Sequence, residues 1–255
     1  MDEVTRFYDD LSAYYHLLFA DWGAAVLRQG AAIDALIAAR LAPGPKPVLD
    51  SACGIGTQAI GLALRGHAVT GSDLSPAAVA RARREAERFG VAADFTVADL
   101  RRLSREIERR FTVALAFDNS LPHLLSDGDL AAALRELAAM LEPGGLFLAS
   151  LRDYDALAAE RPTATPVQVI DDAEGRRVLF QLWDWERDGS GYQVTQYILR
   201  HESDGIADLA FTSRYRALRR RELERALTEA GFSGVEWIEP SEEGYYQPVI
   251  AARKE

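Results

Sequence analysis

Val48-Leu49-Asp50-Ser51-Ala52-Cys53-Gly54-Ile55-Gly56-Thr57 runs from an apolar strand through a turn of small residues into a helix. Small side chains at 52, 54 and 56 let the backbone turn sharply and leave room for a ligand against the amides at the helix N-terminus. Gln58 to Arg65 is that helix, stopped by Gly66. Outward from this unit, His67 to Ser72 reads as a second strand. Ser75-Pro76 then places a capping hydroxyl and a first-turn proline at the head of a helix lasting until Gly90. Val91 to Val97 gives a third strand, Phe111 to Phe117 a fourth, and Leu146 to Leu151 a fifth after the stop Pro143-Gly144-Gly145. Between the last two, Leu130, Leu134, Leu137 and Leu141 make one helical stripe. Runs apolar on both faces suit a parallel sheet covered by helices. The alternation predicts a doubly wound, Rossmann-like α/β fold with ligands beyond the carboxyl ends of its strands.

The flanks complete the expectation. Residues 1–44 are aromatic, then alanine-rich at helical spacing, and end in Ala42-Pro43-Gly44-Pro45-Lys46-Pro47, which cannot continue a helix. They form an N-terminal helical cap on a core over 45–155. Over 156–217 the period changes. Arg177 to Trp185, Tyr192 to Arg200 and Leu209 to Arg216 read as an antiparallel insertion, separated by Asp188-Gly189-Ser190-Gly191 and Ser203-Asp204-Gly205. Residues 218–255 return to the core with a helix at Glu222 to Ala230 stopped by Gly231, a strand at Val235 to Ile238, and a final run Tyr245 to Ala251 closing a mostly parallel seven-stranded sheet as a hairpin.

Composition narrows the function. The 255 residues are 48% hydrophobic and 27% charged, as in an ordinary globular chain. With 29 basic and 39 acidic residues the net charge is −10, a field that repels phosphate backbones and anionic bilayers. Nucleic acid and membrane are therefore not expected as partners; a small molecule is. Cys53, the sole cysteine, excludes an internal disulfide and a cysteine zinc site and fits a reducing compartment. The acidic start Met1-Asp2-Glu3-Val4, with no apolar run near ~18 residues, points to the cytoplasm.

Three acids bear on the ligand. Asp73 ends the second strand, where a carboxylate can accept both hydroxyls of a ribose, with Leu74 beside it. Asp99 follows the third strand, placed to accept from an adenine amino group while Leu100 packs on the ring. Asp50 sits in the turn itself. The plainer alternative has Asp73 and Asp99 as caps of a turn and a helix. Gly54-Ile55-Gly56-Thr57-Gln58-Ala59 also matches the G-x-G-x-x-G/A spacing of dinucleotide sites, which keeps an NAD-dependent oxidoreductase in view. The set of acids fits S-adenosylmethionine better than NAD, since the amino-acid end of that ligand is cationic and no pyrophosphate needs cradling.

On these residues the sequence resembles the class I S-adenosylmethionine-dependent methyltransferases over roughly 45–155. Asp50-x-Ala52-Cys53-Gly54-x-Gly56 has alanine at the first glycine position, a variant similar to glycine and sarcosine N-methyltransferases. Two further segments are similar to that subgroup. Phe117-Asp118-Asn119-Ser120-Leu121-Pro122-His123-Leu124 resembles G-N-S-x-x-H-L, with Asp118 in place of glycine. Ser150-Leu151-Arg152-Asp153-Tyr154-Asp155 resembles D-H-R-N-Y-D. The resemblance implies that Asn119 contacts the acceptor, its neighbours including Asp118 contact the cofactor, and Arg152, with Tyr154 alongside, binds an acceptor carboxylate. An arginine fork suits that task because it holds a carboxylate bidentately and fixes the amine in line for displacement. No metal is required, since the sulfonium is already activated.

Each of these residues has a plainer alternative. Arg152 fits equally a surface ion pair with Asp153 or Asp155. His123 reads as a capping or core histidine as readily as a general base. Cys53 reads as a small buried residue, Trp183 and Trp185 as packing or cavity lining, and Arg219-Arg220-Arg221 as a solvated helix start. The N-terminal aromatics, with Tyr14 expected at the acceptor and Tyr15 and Trp22 at the cofactor, either fold over the ligand or staple the cap to the sheet. By the same resemblance Arg28 sits where related enzymes hold the methionine carboxylate.

The expected activity is methyl transfer from S-adenosylmethionine, leaving S-adenosylhomocysteine, to the amine of an amino acid such as glycine or sarcosine. An O-methyltransferase for a hydroxylated metabolite, an oxidoreductase, and a binding protein without catalysis remain as alternatives.

Overall fold

The protein is described from a computed structural model, over residues 3–173, 175–202, 205–241 and 244–255. The turn residues Ser203 and Asp204 and the first two residues, Met1 and Asp2, lie outside the described set.

The core alternates as expected: β1 (Pro47–Asp50), α3 (Thr57–Ala63), β2 (Ala68–Asp73), α4 (Pro76–Phe89), β3 (Asp94–Val97), β4 (Phe111–Ala116), α5 (Asp127–Met140) and β5 (Leu141–Ser150). Before it come α1 (Glu3–Ser12), a 3-10 turn at Tyr15–Leu18 and α2 (Trp22–Ala38). After it come α6 (Tyr154–Glu160), the strands β6 (Gln168–Asp172), β7 (Gly175–Trp185), β8 (Gly191–Glu202) and β9 (Gly205–Arg216), then α7 (Arg220–Glu229), β10 (Phe232–Ile238) and β11 (Val249–Lys254).

One sheet has the order β10-β11-β5-β4-β1-β2-β3, parallel except for β11, which runs against both its neighbours. Residues of its strands alternate between two cores. Leu49, Ala114, Phe147 and Ala149 face α5 and α7, whereas Val48, Val113, Leu115 and Leu148 face α2, α3 and α4. This is why the strands read as unbroken apolar runs. The second sheet, β6-β7-β8-β9, is antiparallel, and α1 packs on it through a third cluster of Phe7, Leu11, Leu179, Ile198 and Phe211.

Several boundaries differ from expectation. The Pro143-Gly144-Gly145 stop lies inside β5: Phe111 pairs with Leu141, and the ladder resumes at Val113 with Leu146, so the intervening residues bulge. Leu141 is therefore extended rather than helical. Strand β6 was not foreseen, because Gln168-Val169-Ile170-Asp171-Asp172 is an edge strand with four of its five residues exposed. The final strand starts at Val249, leaving Tyr245 to Pro248 as a connecting segment. Cap helix α2 is seated by close approach to α3: a Cβ on Gly30 would stand 2.5 Å from the carbonyl carbon of Gly61.

Candidate active site

The turn after β1 is held from below and beside. Ser51 Oγ donates to the Leu115 carbonyl at 2.5 Å, and the Cys53 amide to the Ser72 carbonyl at 2.9 Å. Gly56, at φ +93°, caps α3 in the left-handed region, and a Cβ there would meet Ile60 Cδ1 at 3.0 Å. Asp73, at the end of β2, accepts the Gly54 amide on one oxygen at 2.8 Å and the Ser75 amide on the other at 2.9 Å. Burial pushes its carboxyl above the usual range, and these amides oppose that.

Asp50 is wholly buried, and neither carboxylate oxygen has a hydrogen-bond partner. Desolvation first, then the nearby Asp73 charge, raise it to about 7, while the amides of Ala52 and Ala59, close by but short of full hydrogen-bond geometry, pull the other way. A buried acceptor without a donor marks a place where a cationic group is wanted.

Two cavities meet beyond the strand ends. The first, of about 300 Å³, is lined by the turn residues Ala52 and Gly54, by Asp73, Leu74, Asp99 and Leu100, and by Tyr8 and Tyr15 from the N-terminal segment. The second, of about 780 Å³, is lined by Arg28, Arg152, Gln181, Gln196 and Tyr245 among others. Tyr15 and Asp118 line both.

Asp118 and Asn119 follow β4 in left-handed conformation, at φ +53° and +67°. Asp118 Oδ1 accepts the hydroxyls of Tyr245, in a very short bond, and of Tyr246 at 2.8 Å; Oδ2 accepts Gln58 Nε2 at 2.8 Å. Gln58 also donates to Gln29, whose Oε1 lies 3.2 Å from the Tyr245 hydroxyl oxygen. Asn119 Oδ1 accepts the Arg152 amide at 3.2 Å and the Tyr154 hydroxyl at 3.0 Å, whereas its Nδ2 is buried without a partner.

Arg152 pairs with neither Asp153 nor Asp155. Its guanidinium donates to Tyr192 Oη at 2.8 Å and Gln181 Oε1 at 3.1 Å, and lies 4.7 Å from the Trp183 ring centre. The two acids are taken instead by Arg220, whose guanidinium is 3.6 Å from Asp153 and whose amide donates to Asp155. Among the described residues Arg152 has no carboxylate partner. Trp183 and Tyr192 stack beneath it, so the tryptophans pack rather than line.

Other residues fall outside the cavities or are already engaged. His123 Nε2 meets the Tyr8 hydroxyl at 2.8 Å and its ring lies 4.1 Å from that of Tyr215. Burial lowers it to about 3, so it is neutral. Asp99 accepts the Arg101 amide and guanidinium and the Arg102 guanidinium. Burial favours its neutral form, but the two arginines outweigh this and hold it at about 2. Trp22 donates to Thr57 Oγ1 at 3.0 Å and packs on Phe89, away from both cavities. Tyr14 packs on Phe211 in the third cluster, and Arg28 lines the second cavity rather than the first. Tyr154 is buried behind Asn119. Cys53 is buried and free. Gln29, Gln58, Tyr245 and Tyr246 were missed in the sequence; their pattern there is unremarked because the four come from three distant segments.

Residues 48–145 match the family model described as a methyltransferase domain. With the sheet order and the glycine turn, this makes residues 48–145 a methyltransferase domain, with a fold similar to that of S-adenosylmethionine-dependent methyltransferases. The dinucleotide reading of Gly54 to Ala59 is thereby set aside. The chain is 34% identical over 137 residues to a glycine/sarcosine N-methyltransferase of Parasynechococcus marenigrum, covering 54% of this chain and 48% of that one. It thus spans about half the length of that relative. It is 27% identical over 249 residues to a dTDP-3-amino-3,6-dideoxy-alpha-D-glucopyranose N,N-dimethyltransferase of Streptomyces fradiae, covering 96% and 93%. The CcbJ methyltransferase structure from Streptomyces caelestis superposes with a TM-score of 0.78 at 21% identity, covering 100% of this chain and 99% of that one. Among the described residues no helix is long and apolar enough to cross a membrane, and no cluster of acids, histidine and cysteine suits a metal.

Proposed function

We propose that the chain moves a methyl group from S-adenosylmethionine to the amine nitrogen of a small acceptor bearing a carboxylate, an amino acid being the type. The observation that carries this reading is Arg152, a guanidinium without a carboxylate partner among the described residues, lining the larger cavity. A planar fork with spare donors suits a carboxylate. The volume of about 780 Å³ leaves room for acceptors larger than glycine.

The residues of the first cavity fit the cofactor. The turn amides at Ala52 to Gly54, with the buried Asp50 charge behind them rather than on the cavity wall, suit its amino-acid end, Asp73 retains lone pairs for ribose hydroxyls, and Leu74 and Leu100 offer apolar surface to the base. When bound, the cofactor supplies an electrophilic methyl group. The chain's own work is then orientation and exclusion of water: Arg152 fixes the carboxylate, Asn119 holds the Arg152 backbone from behind through Oδ1, and Tyr8 and Tyr15 wall the cofactor cavity.

The test is incubation with labelled S-adenosylmethionine and a panel of glycine, sarcosine, β-alanine, an amino sugar and catechol, read by mass spectrometry. An N-methylated amino acid, lost in Arg152→Ala, is the expected product. Turnover confined to catechol would replace the reading with O-methylation.

A further inference from the structure

The N-methyltransferases that this sequence resembles have glycine where this chain has Asp118, and the structure gives that carboxylate an unusual place. Among the described residues it and Tyr15 alone line both cavities, so it stands where a methyl donor and an acceptor meet. Its backbone is held at φ +53°, in the left-handed region that aspartate and asparagine enter more readily than most residues with a side chain. Three donors converge on it: Tyr245, Tyr246 and Gln58. All three are neutral, and among the described residues no arginine or lysine pairs with it. A carboxylate with about four lone-pair sites retains acceptor capacity beyond these three bonds.

We propose that Asp118 receives the ammonium of the acceptor and takes one proton from it, and that Tyr246 passes this proton to solvent. The proposal rests on the amine reading above and deepens it: with Arg152 on the same cavity, the site offers one cation and one anion to a zwitterion. The balance is simple. An ammonium has no lone pair, so one proton must leave nitrogen before it can attack. That proton goes to an Asp118 oxygen. The nitrogen pair then forms the new N–C bond as the C–S bond breaks, with the departing pair left on sulfur. Once Asp118 is protonated the Tyr246 hydroxyl turns its hydrogen from Asp118 toward water, and Asp118 gives its proton to the Tyr246 oxygen as that hydrogen leaves for water. Tyr246 is 57% exposed, whereas Tyr245 is buried, so the outlet runs through the former.

Burial raises Asp118 above the ordinary carboxyl range, in the direction a proton acceptor needs, while the two tyrosines and Gln58 restrain the rise. The titratable groups facing it are Tyr15 from the N-terminal segment, Asp50 from the end of β1, and Tyr245 and Tyr246 before β11. Arg152, from the end of β5, acts on Tyr15 and Tyr246.

The test uses Asp118→Asn, since asparagine is isosteric and tolerates the left-handed backbone. Glycine, sarcosine and β-alanine serve as probes. The expected result is S-adenosylhomocysteine affinity by calorimetry within twofold of wild type, with kcat/KM for the amine down about 100-fold at pH 7 and recovering as pH rises toward the free-amine range. Tyr246→Phe should lower kcat severalfold with KM unchanged. Wild-type pH dependence in Asp118→Asn overturns the proton role, and a tenfold loss of S-adenosylhomocysteine affinity reassigns Asp118 to the cofactor. An unchanged kcat in Tyr246→Phe overturns the outlet. Wild-type protein that methylates catechol and none of the amines overturns the amine reading itself, a distinct result.

Discussion

The Asp73 carboxylate accepts the Gly54 amide at 2.8 Å, so the acid that closes β2 also fastens the turn that follows β1. Cavity wall and loop geometry are thus joined in one side chain. Hydrogen bonds to a charged group are worth about 1.5–3 kcal/mol each.

Asp73→Ala should therefore weaken S-adenosylhomocysteine binding by at least tenfold, with Asp73→Asn intermediate because it keeps one acceptor oxygen. Titration calorimetry decides. Undiminished affinity would take Asp73 out of the site.

Asp50 gives the ligand-free protein a pH signature. Burial raises its folded carboxyl from the ordinary 3.8 to about 7, so the folded state holds the extra proton between these values and stability falls as pH rises through that window. Asp50→Asn should flatten this slope and raise the ligand-free Tm at pH 8, while weakening cofactor binding. A thermal series from pH 4 to 8 is the measurement; parallel curves for the two proteins would mean that Asp50 is not the source.

His123 acts with the opposite sign. Lowered to about 3 from 6.5 by burial, it is neutral when folded and charged when unfolded between those values, so stability is lost as pH falls through the window. In His123→Phe the acid side of the Tm profile should flatten. The same variant should leave the pH dependence of kcat/KM unmoved between pH 6 and 9, where the native ring does not titrate.

Arg152→Ala should raise the acceptor KM by tenfold or more and leave cofactor affinity alone. Arg152→Lys should recover only part, since a lysine keeps the charge but not the fork. Steady-state kinetics with the acceptor varied separates these outcomes, and a KM equal to wild type would end the carboxylate assignment.

Gly30→Ala should destabilise the fold by about 1–3 kcal/mol through forced separation of α2 from α3. Urea titration measures it directly.

Much of this architecture was legible in short-range pattern. The strand-turn-helix at Val48 to Thr57 and the capped helix after Ser75 depend on neighbours within a few residues, and the side chain of Ser75 does accept the Ala78 amide. What escaped depends on pairing across the chain. Strand β6 needs β7 to exist, and its exposed residues give no alternating signal. The freedom of Arg152 depended on Arg220, 68 positions further on, taking Asp153 and Asp155. Asp99 was read as facing a ligand with no sign that Arg101 and Arg102 would engage it. The ring of Tyr245 was assigned to a strand, whereas the residues before that strand carry it to Asp118.

The facing glycines of α2 and α3 bear on traffic into the molecule. With backbone set on backbone, α2 is part of the foundation and cannot swing aside without a gap opening beneath it. Glu3, Tyr8 and Tyr15 overhang the smaller chamber from the stretch before Trp22. The wall that residues 3–18 give that chamber is fastened separately, by α1 lying across α4 and β9 and by Arg177 donating to the Leu17 carbonyl.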